Sequence, residues 1–375
     1  MVMETYKDKI RGSIFGGAIG DALGYPVEFM SVDEIISKYG TNGITEYALH
    51  NGKALISDDT QMTLFTANGV LVARTRFENR GIGGFPSSCV PMSYQDWLKT
   101  QTSDYIGLDM NDNPKISWLL DVPELHSRRA PGNTCMQSLF AHSGLIGRRG
   151  EKYLKNKSKG CGAVMRIAPL GLYYDSLDIN RLMDEAVEIS KITHGHSLAY
   201  LPAALLTYIL NKIVYYTDDS LSLKQIIVEA QMALVNHYKD DEYIDDFFKI
   251  IELSIRLAEN EKDDRKNIAE IGEGWVGDEA LAIAIYCSLK YHQDFSKGII
   301  AAVNHGGDSD STGAIAGNIL GAWNGYRNIE SKWLDDIELF DVIDEIATDL
   351  CQGFPIEDKA TRNKWTRKYV DMKWR

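Results

Sequence analysis

Hydrophobic positions along this chain recur mostly with the period of a helix, and strand-like runs bounded by turns are nearly absent. Ile10 to Tyr25 predicts a helix even though Gly12, Gly16, Gly20 and Gly24 recur every four positions. That spacing places the glycines on one face, where missing side chains permit close backbone approach. Glycine is a poor helix former, so tertiary packing must hold the segment. Ser31 to Tyr39 predicts a short helix capped by Ser31, with Glu34 at the capping-box position. After a loop from Gly40 to Lys53, Ser57 opens a helix whose buried face is Met62, Phe65, Thr66, Gly69 and Val70. From Asn180 the chain reads as almost all helix: Asn180 to Lys191, Ser197 to Tyr216, Leu223 to Tyr238, Ile244 to Ala258, Asp278 or Gly277 to Leu289, and Phe295 to His305. Gly313, Gly317, Gly321 and Gly325 then repeat the four-residue spacing. The pattern predicts an all-α, compact multi-helix bundle with two close-packing glycine faces.

Between Arg80 and Pro131 the periodicity fails. This stretch holds five of the nine prolines, Gly81-Ile82-Gly83-Gly84 and the run Asp109 to Pro114. Short helices are expected at Ser93 to Thr100 and Lys115 to Leu120. A segment this irregular suggests a rim or lid around residues 81–128 of an otherwise single domain spanning 1–375. The formal charge of −13 and pI near 5.1 argue against a nucleic-acid surface. No segment reads as long and apolar enough to span a bilayer, so no membrane partner is expected. Cys89, Cys135, Cys161, Cys287 and Cys351 are scattered, odd in number and without a CxxC pair, which suits a reducing cytoplasm.

Two stretches carry candidate chemistry. His305-Gly306-Gly307-Asp308-Ser309-Asp310-Ser311-Thr312-Gly313 sets two carboxylates and adjacent hydroxyls before a small-residue helix; Ser57-Asp58-Asp59-Thr60 does the same far upstream. Either alone reads as a helix cap. Together they form two half-sites of hard oxygen donors, suited to Mg²⁺ or Mn²⁺, and four gathered aspartates call for cations. Asp21 is expected to cap or support this shell. Glu28, between Val27 and Phe29, is either a loop residue or a pocket carboxylate. The Gly160-Cys161-Gly162-Ala163-Val164 turn lacks the P-loop lysine but has amides that could receive phosphate oxygens. His194 and His196 have no third ligand at zinc spacing and read as structural.

These motifs, with Gly16 to Gly24, Arg129-Ala130-Pro131-Gly132-Asn133-Thr134, Gly160 to Arg166 and Gly272 to Leu281, resemble the ADP-ribosylglycohydrolase family, in family order from near residue 10 to about residue 325. The resemblance implies an all-helical fold holding two Mg²⁺ or Mn²⁺ ions. By it, one ligand set is Ser57, Asp58 and Asp59, and the other is Asp308, Asp310 and Ser311. Glu28 matches a glutamate implicated in catalysis, with Asp59 as the other proton-handling candidate. Gly132, Asn133 and Gly160 to Val164 are expected at the diphosphate. The implied activity is hydrolysis of the N-glycosidic bond between ADP-ribose and a protein arginine, so the expected partner is an ADP-ribosylated protein. The alternatives are an O-linked ADP-ribose substrate, or an immunity-type protein that blocks a cognate ADP-ribosyltransferase.

Overall fold

The computed structural model describes residues 2–81, 84–102, 115–142, 156–175, 178–216, 220–355 and 359–373. Among them the chain forms helices and no strand. The first eight are α1 (Val2–Gly24), α2 (Val32–Tyr39), α3 (Asp58–Arg80), α4 (Val90–Gln101), α5 (Asn133–His142), α6 (Ala168–Tyr173), α7 (Ile179–Ser190) and α8 (Ser197–Tyr215). They are followed by α9 (Leu223–His237), α10 (Ile244–Ala258), α11 (Asp264–Ile271), α12 (Gly277–Lys290), α13 (Phe295–Val303), α14 (Ser309–Asn324), α15 (Phe340–Gln352) and α16 (Lys359–Tyr369).

The glycine faces meet. α1 and α14 run antiparallel in backbone contact: a Cβ on Gly16 would lie 2.2 Å from the Gly317 oxygen, and one on Gly20 would lie 1.9 Å from that of Gly313. At the end of this crossing Gly24 abuts the Ser309 and Asp310 backbone. The contact therefore brings the C-terminal end of α1, with Asp21, to the start of α14, with Asp308 and Asp310. Gly325 departs from the expected face. It caps α14 in a positive-φ conformation (φ 82°) and lies beside Asp8.

The N-terminal half of α3 starts at the same end of the bundle. It is buried on all sides from Asp58 to Ala73, not only on the predicted face, because α1, α4, α6, α14 and α15 surround it. The Ser31–Glu34 capping box forms as read. α4 is longer than expected, and Trp118–Asp121 forms a 3₁₀ turn in place of the expected helix. The described part of 81–128 is largely core wall. Tyr94, Trp97, Trp118, Leu119, Val122 and Leu125 have no exposed surface, and Asp96 accepts from the amides of Ile116 (2.7 Å) and Ser117 (2.9 Å). The Asp109 to Pro114 run lies outside the described residues, as do Ile82 and Gly83 of the glycine run. One reading needs correction: α8 is long and apolar enough to cross a membrane. It is buried inside the bundle, where Asn211 donates to the carbonyls of Gly171 and Tyr174, so core packing accounts for its apolarity. His194 is buried against Thr193, and His196 caps α8 through Nδ1, as structural residues would.

Candidate metal centre

Ser57 caps α3, its Oγ accepting from the Asp59 amide at 3.1 Å. The two carboxylates that follow therefore project from the first helical turn, where the helix dipole favours negative charge. Asp21 supports this turn from behind. Its carboxylate accepts the amides of Ser57 and Thr60, each at 3.0 Å, and the Thr60 hydroxyl. Asp58 is held twice by the segment after Arg128: its amide donates to the Arg129 carbonyl (3.0 Å), and its Oδ2 accepts from the Gly132 amide (3.2 Å). Ala130 between them takes a left-handed φ of 49°. Arg129 is tied down by Glu338 (3.0 Å), which also accepts from the Ile56 amide.

The second half-site hangs on the Gly272–Val276 loop. The Asp308 amide donates to the Glu273 carbonyl at 2.8 Å, and a Cβ on Gly307 would lie 1.9 Å from that oxygen, so only glycine permits the approach. The same loop accepts the Cys161 amide at the Trp275 carbonyl (3.2 Å), joining the Gly160 turn to the acidic loop. The Cys161 thiol then donates to Asp308 Oδ2 at 2.7 Å.

The two half-sites meet. One carboxylate oxygen each from Glu28, Asp308 and Asp310 lies within 4.8 Å of the others, and the Asp58 and Asp59 carboxylates are close enough to Asp308 for the charges to repel. Glu28, Ser57, Asp58, Asp59, Asp308, Asp310 and Ser311 are all buried. Burial first, and neighbouring carboxylates second, push Glu28 up to about 9. Burial chiefly raises Asp58 to about 8, while Asp59 and Asp310 stand well above the usual range. Glu28 Oε2 and Asp59 Oδ1 are buried without a hydrogen-bond partner. Unpartnered buried oxygens among mutually repelling carboxylates fit hard divalent cations, which would supply both the missing ligand and the missing charge.

The expected diphosphate cradle is narrower than the sequence reading. Gly132 gives its amide to Asp58, Gly160 gives its own to Ser158 Oγ (3.3 Å), Cys161 to Trp275, and Val164 to the Cys161 carbonyl (2.8 Å). The side chains of Ala163 and Val164 are in the core; Asn133 is exposed at the start of α5. Glu28 proves to be a pocket carboxylate with one apolar chain neighbour inside and one outside: Val27 is buried, but Phe29 is 73% exposed and stacks on Trp275 at 5.7 Å. The Cys161 side chain, the Glu338–Arg129 tie and the Trp275 stack were not read from the sequence. Their partners lie far away in the chain, and no local spacing signals them.

A sequence model described as ADP-ribosylglycohydrolase matches residues 3–359. The chain belongs to the ADP-ribosylglycohydrolase family. It is 26% identical over 350 residues to the ADP-ribosyl-[dinitrogen reductase] glycohydrolase of Rhodospirillum rubrum, covering 90% of this chain and 93% of that protein. It is 23% identical over 363 residues to the ADP-ribosylarginine hydrolase Tri1 of Serratia proteamaculans, covering 94% and 81%. A solved ADP-ribosylglycohydrolase-related protein complex shares the fold, with a TM-score of 0.61 at 21% identity over 93% of this chain and 99% of that one. In this ADP-ribosylglycohydrolase-family chain, Glu28, Asp308 and Asp310 form an acidic group with the geometry to hold a metal ion.

Proposed function

We propose that this protein hydrolyses the N-glycosidic bond between ADP-ribose and a protein arginine, reversing mono-ADP-ribosylation in the cytoplasm, with two Mg²⁺ or Mn²⁺ ions. The observation that carries the reading is the meeting of both acidic half-sites around the unpartnered oxygens of Glu28 and Asp59. The likeness over 94% of this chain to a relative named an ADP-ribosylarginine hydrolase favours the arginine linkage. Ser57, Asp58 and Asp59 would hold one ion, and Asp308, Asp310 and Ser311 the other. When bound, such ions orient ribose hydroxyls and acidify a water molecule. The chain's own groups do the rest. Glu28 Oε2 receives the proton of the attacking water as its oxygen bonds to C1″. The C1″–N bond breaks through an oxocarbenium-like state, its electron pair stays on the guanidine nitrogen, and the departing guanidine takes up the proton that Glu28 accepted. Asn133, exposed at the start of α5, is the free side-chain donor for the diphosphate. Five unpaired cysteines suit a reducing compartment.

The test is incubation with arginine-linked and serine-linked ADP-ribosyl proteins, with and without Mg²⁺, followed by mass spectrometry. Free ADP-ribose should appear from the arginine conjugate only with metal, and Asp59→Asn or Asp310→Asn should abolish most turnover while the helical circular dichroism persists. Release from the serine conjugate alone would transfer the activity to the O-linkage. Anomalous scattering from Mn²⁺-soaked crystals should place ions beside Asp58, Asp59, Asp308 and Asp310; an empty map there removes the metal centre.

A further inference from the structure

Among the described residues, the exposed aromatic side chains are Phe29, Phe77, Phe85, Tyr216 and Trp275. Three of them already carry a cation of the chain: Arg74 stands over Phe77 (5.7 Å), Arg181 over Phe85 (4.4 Å) and Lys212 over Tyr216 (3.8 Å). Phe29 and Trp275 carry none from the described residues. They stack on each other instead, with ring centroids 5.7 Å apart and 19° between the planes. Phe29 stays largely exposed although Trp275 covers one of its faces, so its other face is open.

This pair borders the acidic centre from both half-sites. Phe29 follows Glu28 in the chain. Trp275 follows Gly274, where a Cβ would lie 2.8 Å from the Thr312 side chain and 3.5 Å from that of Asp308. Both rings ride on fixed backbone. The Met30 amide closes the turn that carries Phe29 by donating to the Val27 carbonyl (3.0 Å). The Glu279 carboxylate accepts the amides of Glu273 (3.0 Å) and Gly274 (3.1 Å), and the Trp275 carbonyl accepts that of Cys161 (3.2 Å).

We infer that Phe29, backed by Trp275, is the platform on which the guanidinium of the modified arginine lies. The inference rests on the arginine reading proposed above. A guanidinium is flat and cationic, and the quadrupole of an aromatic face attracts it. Carboxylates clustered beside the rings favour a cation at the same edge. Glu28 serves the water that attacks C1″. The substrate group bonded directly to C1″ therefore falls beside the next residue in the chain, whereas the adenine lies beyond the diphosphate. A serine linkage offers neither a plane nor a charge there. The platform would thus favour arginine conjugates through binding and leave the chemical step to the acidic centre.

The test compares the native chain, Phe29→Leu and Phe29→Tyr on free ADP-ribosylarginine under saturating Mg²⁺, with ADP-ribose affinity measured by calorimetry. Leucine keeps apolar bulk and removes the aromatic face; tyrosine restores that face. Phe29→Leu should raise KM by about 3- to 30-fold, the range a cation on an aromatic ring is worth. Its kcat should change little, as for binding lost equally from ground and transition states, and its ADP-ribose affinity should stay native. Phe29→Tyr should recover the native KM. An unchanged KM in Phe29→Leu overturns the inference. So does a tyrosine variant as poor as the leucine one, which would make the contact one of fit alone. An equal loss of ADP-ribose affinity also overturns it, since the rings would then hold the adenine or the ribose. If the native chain releases no ADP-ribose from ADP-ribosylarginine, the arginine reading fails and the platform falls with it; that outcome is distinct, since it appears before any variant is made.

Discussion

Glu28 is the residue on which the proposed chemistry turns. It ends the 3₁₀ turn Tyr25–Val27, and its Oε2 is buried and unpartnered beside Asp308 and Asp310. Glu28→Gln keeps the shape and removes the charge. The single-turnover rate under saturating Mg²⁺ should fall by roughly 10²–10⁴-fold, the usual worth of general acid–base catalysis, while metal binding measured by calorimetry holds. A near-native rate would move the proton acceptor to Asp59. Lost metal binding would make Glu28 a ligand, a role its place in the carboxylate triad also allows. The sequence carried the identity of the acidic residues because their spacing is local: Asp58-Asp59 and Asp308-x-Asp310 each sit on one turn. It did not carry how the backbone amides are used. The Gly132 amide looks free for a phosphate in the chain, yet it belongs to Asp58, and only the fold brings those residues together.

At the scale of elements, the α1–α14 crossing sets the distance between the half-sites. Gly20 precedes Asp21, and Gly313 follows Asp310 by three positions, so one of the tightest backbone contacts of the crossing lies within one helical turn of the carboxylates. Gly20→Ala would drive a methyl group into the Gly313 carbonyl, a rigid neighbour that cannot step aside. Overpacking of this kind costs about 1–3 kcal/mol, so denaturant midpoints should drop by that equivalent and Mn²⁺ affinity should weaken as the helices separate. Native stability and affinity in Gly20→Ala would mean the crossing does not position the site. This pairing was legible because two helices each showed glycine at one period, and matched small faces have few other uses. The core role of α4 was not. Prolines and glycines near it imitate a loop, while the burial of Tyr94 and Trp97 depends on helices elsewhere in the chain.

For the whole molecule, the acidic centre makes stability depend on pH and metal together. Asp21, Asp58 and Glu28 are raised by burial to about 6, 8 and 9. Each folded pKa lies above the ordinary carboxylate value, so the folded state binds these protons more tightly than the unfolded chain does. Their contribution is fully present below the unfolded pKa and is lost as pH rises through the folded values. Metal-free protein should therefore lose thermal stability steadily from about pH 5 to about pH 9. The divalent ions of the proposed centre would reverse the sign, because they would bind the ionised carboxylates and only in the folded chain. Ligand present at a hundredfold excess over its dissociation constant stabilises by about 2.7 kcal/mol. At lower pH, protons compete for the same oxygens and reduce that gain. The melting temperature of chelator-treated protein should fall with pH, and the increment from added Mg²⁺ should grow over the same range. Parallel profiles with and without metal would show that the six carboxylates of this cluster, Asp21, Glu28, Asp58, Asp59, Asp308 and Asp310, are not where the ions bind. Convergence of the two profiles at acid pH and separation at alkaline pH is the signature of a centre that exchanges protons for cations.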